Sequence, residues 1–330
     1  MLPMKRRHRV SYIYIALICL AIVVVSSVIV FSFLPPIFAV ELRDLPVHAP
    51  PRTVVSISSF SQRVFHLKGC LDSVFAQSQL PDRIIISIPK KFRSTEKTAC
   101  WFFDSDCYHD VNQRHNESEE DIIAWFSDYV GAPYEDANKT SNVYEIGTLT
   151  VQFLEEDWGP ATKLIGALLL EAHPETVVIT LDDDVVYHRD TVKYLATHVQ
   201  EKTVLSFGCE MWNAANIEFI AFGGMADIVT YSSTPRVCRG WVLGWMGVAY
   251  HVSSFGIDIL TVLKSLPRGC FYNDDIWLSG YLSRRGVQKV YVPNELVPQK
   301  HTRDATFSLS TIVDSHINYK HSCARYLFPT

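Results

Sequence analysis

The sequence predicts an α/β domain carried behind an N-terminal membrane helix, and three observations predict it. Residues 12–34, YIYIALICLAIVVVSSVIVFSFL, hold no charge. From residue 53 to residue 293, β-branched apolar runs alternate with stretches of helical periodicity. One of those runs, TVVITL, stops abruptly at Asp182, Asp183 and Asp184, at the kind of strand end where open α/β sheets bind ligands. The 330 residues, 48% hydrophobic and 20% charged, suffice for a large core and exclude a disordered chain, a collagen or a small disulfide scaffold.

The uncharged run has 23 residues, enough at about 1.5 Å per residue to cross a hydrocarbon core of roughly 30 Å. It is longer than the apolar core of roughly 7–15 residues in a cleaved signal peptide, and Phe38-Ala39-Val40 is a poor cleavage site. Lys5, Arg6, Arg7 and Arg9 precede the run, so the basic tail 1–11 is expected in the cytoplasm and the rest on the luminal side. Taking that +4 from the net −5 leaves −9 for the body, which argues against a strongly basic, nucleic-acid-binding body. Pro35, Pro36, Pro46, Pro50 and Pro51 make 35–51 a stiff stem, and the luminal domain is expected over 52–330. Asn116-Glu117-Ser118 and Asn138-Lys139-Thr140 are acceptor patterns for N-glycans. Seven cysteines lie beyond Cys19, an odd number that leaves at least one free thiol or an intermolecular bond.

Along the chain, residues 53–60 form a buried strand, and Val64, Leu67, Leu71, Val74 and Phe75 mark a helix. RIIISIP at 83–89 is the next strand, ended by its proline. This strand–helix–strand start predicts a sheet in mostly parallel order. Residues 94–146, with Cys100, Cys107, both sequons and a helical stretch Glu119–Tyr129, break the rhythm and read as an insertion. The pattern resumes with a strand at 148–154, a helix over Pro160–Ala172 with proline in its first turn, and a strand at 176–181. A helix over Asp190–Val199 and a strand at 203–207 come next. Aromatic and glycine-rich sequence fills 208–250, before a helix over Asn273–Arg285 and a strand at 289–293.

Three carboxylates at one strand end repel one another unless a cation or solvent compensates them. Oxygen ligands of this type suit Mg²⁺ or Mn²⁺ bridging a diphosphate. The alternative is a polar turn in which one aspartate caps the next helix. With this motif the sequence resembles the nucleotide-sugar-dependent glycosyltransferases of the GT-A fold, of the family-2-like type. That resemblance implies a Rossmann-type mixed sheet flanked by helices. It also implies a DxD motif in which Asp182 and Asp184 hold the metal and Asp183 lies between them at the donor. Asp104-Ser105-Asp106 has the same spacing but follows no strand.

Two further stretches carry the resemblance. Cys270-Phe-Tyr-Asn-Asp274-Asp275-Ile-Trp-Leu looks like the later acidic motif of such enzymes. It implies Asp275 as the base that takes the acceptor hydroxyl proton, with Asp274 orienting acceptor or base. The alternative is that Asn273 caps the helix and both acids favour its positive end. Asp157-Trp-Gly-Pro-Ala-Thr-Lys163 resembles a stretch found upstream of the DxD strand, and Lys163 in the first helical turn is expected to reach a donor phosphate. By the same resemblance the region around Gly223-Gly224 and 240–250 lies by the sugars, with Trp241 and Trp245 as stacking faces unless they are core. His301 stands where some of these enzymes supply a third metal ligand. The chain departs from the pattern in lacking the usual proline–tyrosine–asparagine opening after the first strand. Asp82 also precedes the second strand instead of following it.

The sequence therefore leads to a Golgi-type, single-pass type II glycosyltransferase. It needs Mn²⁺ or Mg²⁺, uses a nucleotide-sugar donor and a glycan or other hydroxyl acceptor, and inverts configuration if the displacement is single. The rivals are a non-catalytic GT-A-like glycan-binding or surface protein and a metal-dependent phosphohydrolase. The latter calls for more metal-binding His and Asp than His188 and His301 offer.

Overall fold

The structure, a computed structural model, describes residues 52–93, 108–110, 118–210, 235–292, 295–296, 298, 300–301 and 316–327. The expected membrane helix 12–34, the tail and stem, Asn116, Cys100, Cys107, the Asp104–Asp106 pair and Gly223-Gly224 lie outside the described residues. Among the described residues no helix is long and apolar enough to cross a membrane.

The strands are, in chain order, β1 (Thr53–Ser58), β2 (Arg83–Pro89), β3 (Lys91–Arg93), β4 (Tyr108–Asp110), β5 (Asn138–Thr140), β6 (Val143–Ile146), β7 (Leu149–Leu154) and β8 (Val177–Leu181). They continue with β9 (Val185–Val186), β10 (Thr203–Ser206), β11 (Cys209–Glu210), β12 (Arg236–Val237), β13 (Trp241–Val242), β14 (Val248–His251), β15 (Gln288–Tyr291) and β16 (Lys300–His301). Ten of the described strands join one sheet in the order β12-β15-β10-β14-β8-β1-β2-β7-β6-β5. Its centre is parallel: β1 lies between β2 and β8, and β7 follows β2. Strands β1, β7 and β8 are buried at consecutive positions, apart from Ser58 at the end of β1. Covering of both faces explains why these strands read as unbroken apolar runs and not as alternating ones.

The sheet is mixed and flanked by helices, as the resemblance implies. The mostly parallel order expected from the first strand–helix–strand unit holds only at its centre and between β10 and β15. Strand β14 enters antiparallel between β8 and β10, and β5, β6 and β12 are antiparallel at the flanks. The expected helix through 64–75 is two pieces, Ser61–Val64 and Lys68–Phe75. The one expected over Pro160–Ala172 is a 3₁₀ turn, Gly159–Ala161, leading into Thr162–Leu170.

Within the stretch read as an insertion, the helix Glu119–Val130 starts at a capping box between Ser118 and Asp121 and ends at Gly131 with φ 69°. Its Ile122, Ile123 and Phe126 enter the core. Asn138 lies exposed in β5, the last strand of the sheet's flank. Disulfides join Cys209 to Cys238 and Cys270 to Cys323. The second fastens the C-terminal helix His316–Leu327 to the short helix Arg268–Phe271, just ahead of the second acidic motif. Among the described residues Cys70 is a buried free thiol, one of the two outcomes the odd cysteine count allows.

Candidate active site

Strands β1 and β8 run parallel with Ile57 opposite Leu181, so the segments beyond both strands emerge at one edge of the sheet. That places Ser59 beside the aspartate turn, where its hydroxyl donates to Asp183 Oδ2 at 2.8 Å. Arg63, in the short helix after β1, pairs with Asp183 Oδ1 at 2.6 Å and Asp184 Oδ2 at 3.3 Å. The main chain of the turn is held as well. Asp182 N–H donates to Tyr187 Oη, which donates in turn to the Trp245 carbonyl, and the Cys70 thiol donates to the Asp182 carbonyl. No helix is capped here, because β9 follows the turn directly. Asp183 is anchored, whereas the side chains of Asp182 and Asp184 keep 30% and 26% of their surface open.

The Asp157–Lys163 stretch builds the neighbouring wall, and each residue has a local reason. Asp157 Oδ1 accepts from Gly159 N–H, and Thr162 Oγ1 accepts from Trp158 N–H. Gly159 has φ 62°, and a Cβ there would stand 2.5 Å from the Phe271 carbonyl oxygen. Glycine therefore permits both the turn and the close approach of the chain that leads to Asp274. Pro160 starts the turn, and Lys163 projects from the second position of the helix beyond it.

The second acidic motif arrives on the helix Asp274–Arg284, anchored by buried Ile276, Leu278 and Leu282. Asn273 does not cap it: its side chain donates to the Gly269 carbonyl. Asp275 Oδ1 accepts from Gly244 N–H at 2.9 Å. Lys163 Nζ lies 2.7 Å from Asp182 Oδ1 and 3.0 Å from Asp274 Oδ2. The two motifs thus occupy one site.

Burial pushes the Asp183 carboxyl up to about 6, against the pull of the Arg63 guanidinium. Burial, with Asp274 beside it, holds Asp275 well above the usual carboxylate range despite Lys163. Burial opposes the Lys163 ammonium, yet Asp182, Asp274 and Asp275 outweigh it and hold its pKa well above the ordinary lysine value. Five carboxylates, Asp182 to Asp184 with Asp274 and Asp275, face two cations, Lys163 and Arg63.

That crowding of five acidic side chains around two cations is the observation by which a divalent cation fits. Among the described residues no three His, Cys, Asp or Glu side chains form a ready cage. Such a cage is not needed for Mg²⁺ or Mn²⁺ held by one or two carboxylates and completed by phosphate oxygens and water. Asp182 and Asp184 are the two open carboxylates. The main chain of His301 pairs with Val185, one residue beyond Asp184.

Trp245 is partly buried in the turn Gly244–Met246 beside Asp275. Trp241 is core: its indole N–H donates to buried Glu210, and Lys320 lies over its ring. Asp82 also has a structural position, accepting from Thr53 N–H. Sequence reasoning missed Arg63, Tyr187 and Gly244. Gly244 had a signal in the glycines of 240–250, but Arg63 had none beyond following a strand.

No family model matches the chain, and no curated protein matches it in sequence. Solved structures do. A mannosyltransferase, PcManGT from Pyrobaculum calidifontis in complex with GDP-Man and Mn²⁺, is 13% identical with a TM-score of 0.41, over 87% of this chain and 76% of that one. TarS 1–349 of S. aureus is 11% identical with a TM-score of 0.41, over 84% of this chain and 73% of that one. The galactosyltransferase LgtC, in complex with donor and acceptor sugar analogs, is 11% identical with a TM-score of 0.39, over 84% of this chain and 97% of that one.

Proposed function

We propose that this chain is a GT-A-type glycosyltransferase, dependent on a divalent metal and a nucleotide-sugar donor, and inverting. The observation that carries the proposal is the meeting of two acidic motifs, distant in sequence, at the carboxyl edge of the parallel strands β1 and β8. Asp182 and Asp184 would hold Mn²⁺ or Mg²⁺, with His301 as a third ligand supported by its pairing beside Val185. The bound metal would supply the positive charge that stabilises a departing diphosphate.

The chain's own residues do the rest. Ser59 and Arg63 fix Asp183 at the donor side. Gly244 N–H and the anchored helix fix Asp275 where it can accept the acceptor's proton. Asp275 takes the acceptor hydroxyl proton as that oxygen bonds to the anomeric carbon, and the bond from that carbon to the diphosphate oxygen breaks with its electron pair. Asp274 orients Asp275 or the acceptor, and Trp245 offers an indole face to a sugar.

The uncharged 12–34 run supports a type II anchor with the catalytic domain in the Golgi lumen, and exposed Asn138 supports an N-glycan there. The test is release of nucleoside diphosphate from a panel of UDP- and GDP-sugars while Mn²⁺ is titrated. Metal-dependent release from one donor is expected. Silence across the panel from folded protein returns the chain to the non-catalytic reading.

A further inference from the structure

We propose that Lys163 is a positioning residue that ties the donor-side acids to the acceptor-side acids, and not a ligand of the donor phosphate; this rests on the transferase reading above. Its side chain is only 6% exposed, and its ammonium lies between Asp182 Oδ1 at 2.7 Å and Asp274 Oδ2 at 3.0 Å. The main chain beneath it is fastened, because Ser56 Oγ donates to the Lys163 carbonyl. The space for the ammonium depends on Gly244, where a Cβ would stand 3.2 Å from Nζ.

Asp274 is the partner that makes the bridge compulsory. Its side chain is 9% exposed, and Oδ2 has no aligned hydrogen bond among the described residues, so the Lys163 ammonium is the counter-charge beside it. A lysine that swung out to a phosphate would leave that carboxylate buried and uncompensated, which is costly. Held in place, the ammonium sets the distance between the turn at Asp182 and the helix that begins at Asp274. That distance is the one between donor and base, and errors of about 1 Å at such a site cost roughly 10²-fold in rate.

The experiment uses the full chain in detergent, as wild type, Lys163→Met, Asp274→Asn and the double variant. Mn²⁺ with UDP or GDP is titrated calorimetrically, kcat and KM are measured with the active donor, and thermal midpoints are recorded. The bridge predicts that Lys163→Met binds Mn²⁺–nucleoside diphosphate within about 3-fold of wild type while kcat falls about 10²-fold. It also predicts that the double variant regains most of the midpoint lost in Lys163→Met, but not kcat, since the buried charge at Asp274 is then gone and Asp182, 30% exposed, is compensated by water. A nucleotide affinity more than about 10-fold weaker in Lys163→Met, with Mn²⁺ binding kept, overturns the proposal in favour of a phosphate ligand. So do midpoint losses that simply add. If the wild type binds no nucleotide and turns nothing over, the transferase reading fails by itself. Non-additive midpoints would then still uphold the bridge, and additive ones would overturn it.

Discussion

Replacing Gly244 by alanine is a perturbation of one methyl group that the structure makes large. The new Cβ would stand 2.6 Å from Asp275 Oδ1, against an ordinary contact near 3.4 Å, so one group must yield by about 0.8 Å. Asp275 cannot yield into the core, because its helix is fixed by Ile276, Leu278 and Leu282, and the short helix just ahead of it is tied through Cys270 to the C-terminal helix. The carboxylate must then leave its 2.9 Å bond with Gly244 N–H. A base displaced by nearly 1 Å loses roughly 10²-fold in rate, or about 2.7 kcal/mol of transition-state stabilisation. Overpacking costs roughly 1–3 kcal/mol of stability. The assay is kcat and KM for the active donor, with a thermal melt. The expected result is a kcat about 10²-fold lower, donor KM little changed and a fold retained. Gly244→Ala with wild-type kcat would refute the placing of Asp275 as base.

Two substitutions away from the base test stability. The Cys270–Cys323 bridge spans 53 residues, so serine at both positions should cost about 4 kcal/mol on the chain-entropy account; a denaturant midpoint showing under about 1 kcal/mol would contradict it. Burial pushes the Lys289 ammonium down to about 8, beside neutral acceptors at Ser283 Oγ and the Ser279 carbonyl. Below that pH both states hold the proton and the folded state bears the cost. Between about 8 and the usual value near 10.4 only the unfolded state keeps it, so stability rises with pH by about 3 kcal/mol in all. Lys289→Met should be more stable than wild type at pH 7 and lose that rise; equal slopes in melts at pH 7 and 9.5 would sink the argument.

The sheet's centre was readable because β1, β2, β7 and β8 are unbroken apolar runs, and burial on both faces demands such runs. Strand β14 was hidden. Its four residues, Val248–His251, sit in a stretch rich in glycine and aromatics, and only pairing on both sides by β8 and β10 makes it a strand. Strand β5, Asn-Lys-Thr, is polar and exposed and carries no periodic signal. At the site, Asp182 to Asp184 were visible as charge at the end of an apolar strand, and Lys163 as a residue of a helix start. That Lys163 faces Asp274 could not be read, since nothing in local spacing relates two residues joined through a tertiary contact. Trp241 and Trp245 looked alike in sequence. Burial and the bond to Glu210 separate them.

The most direct test of the central claim is calorimetric titration of Mn²⁺–UDP and Mn²⁺–GDP into the wild-type chain, Asp184→Ala and Asp275→Asn. If Asp184 holds the metal at the donor and Asp275 serves as the base, wild type and Asp275→Asn bind one of the two nucleotides alike, while Asp184→Ala does not. Nucleotide binding that survives Asp184→Ala, or that is lost in Asp275→Asn with the fold intact, would contradict this division of the site.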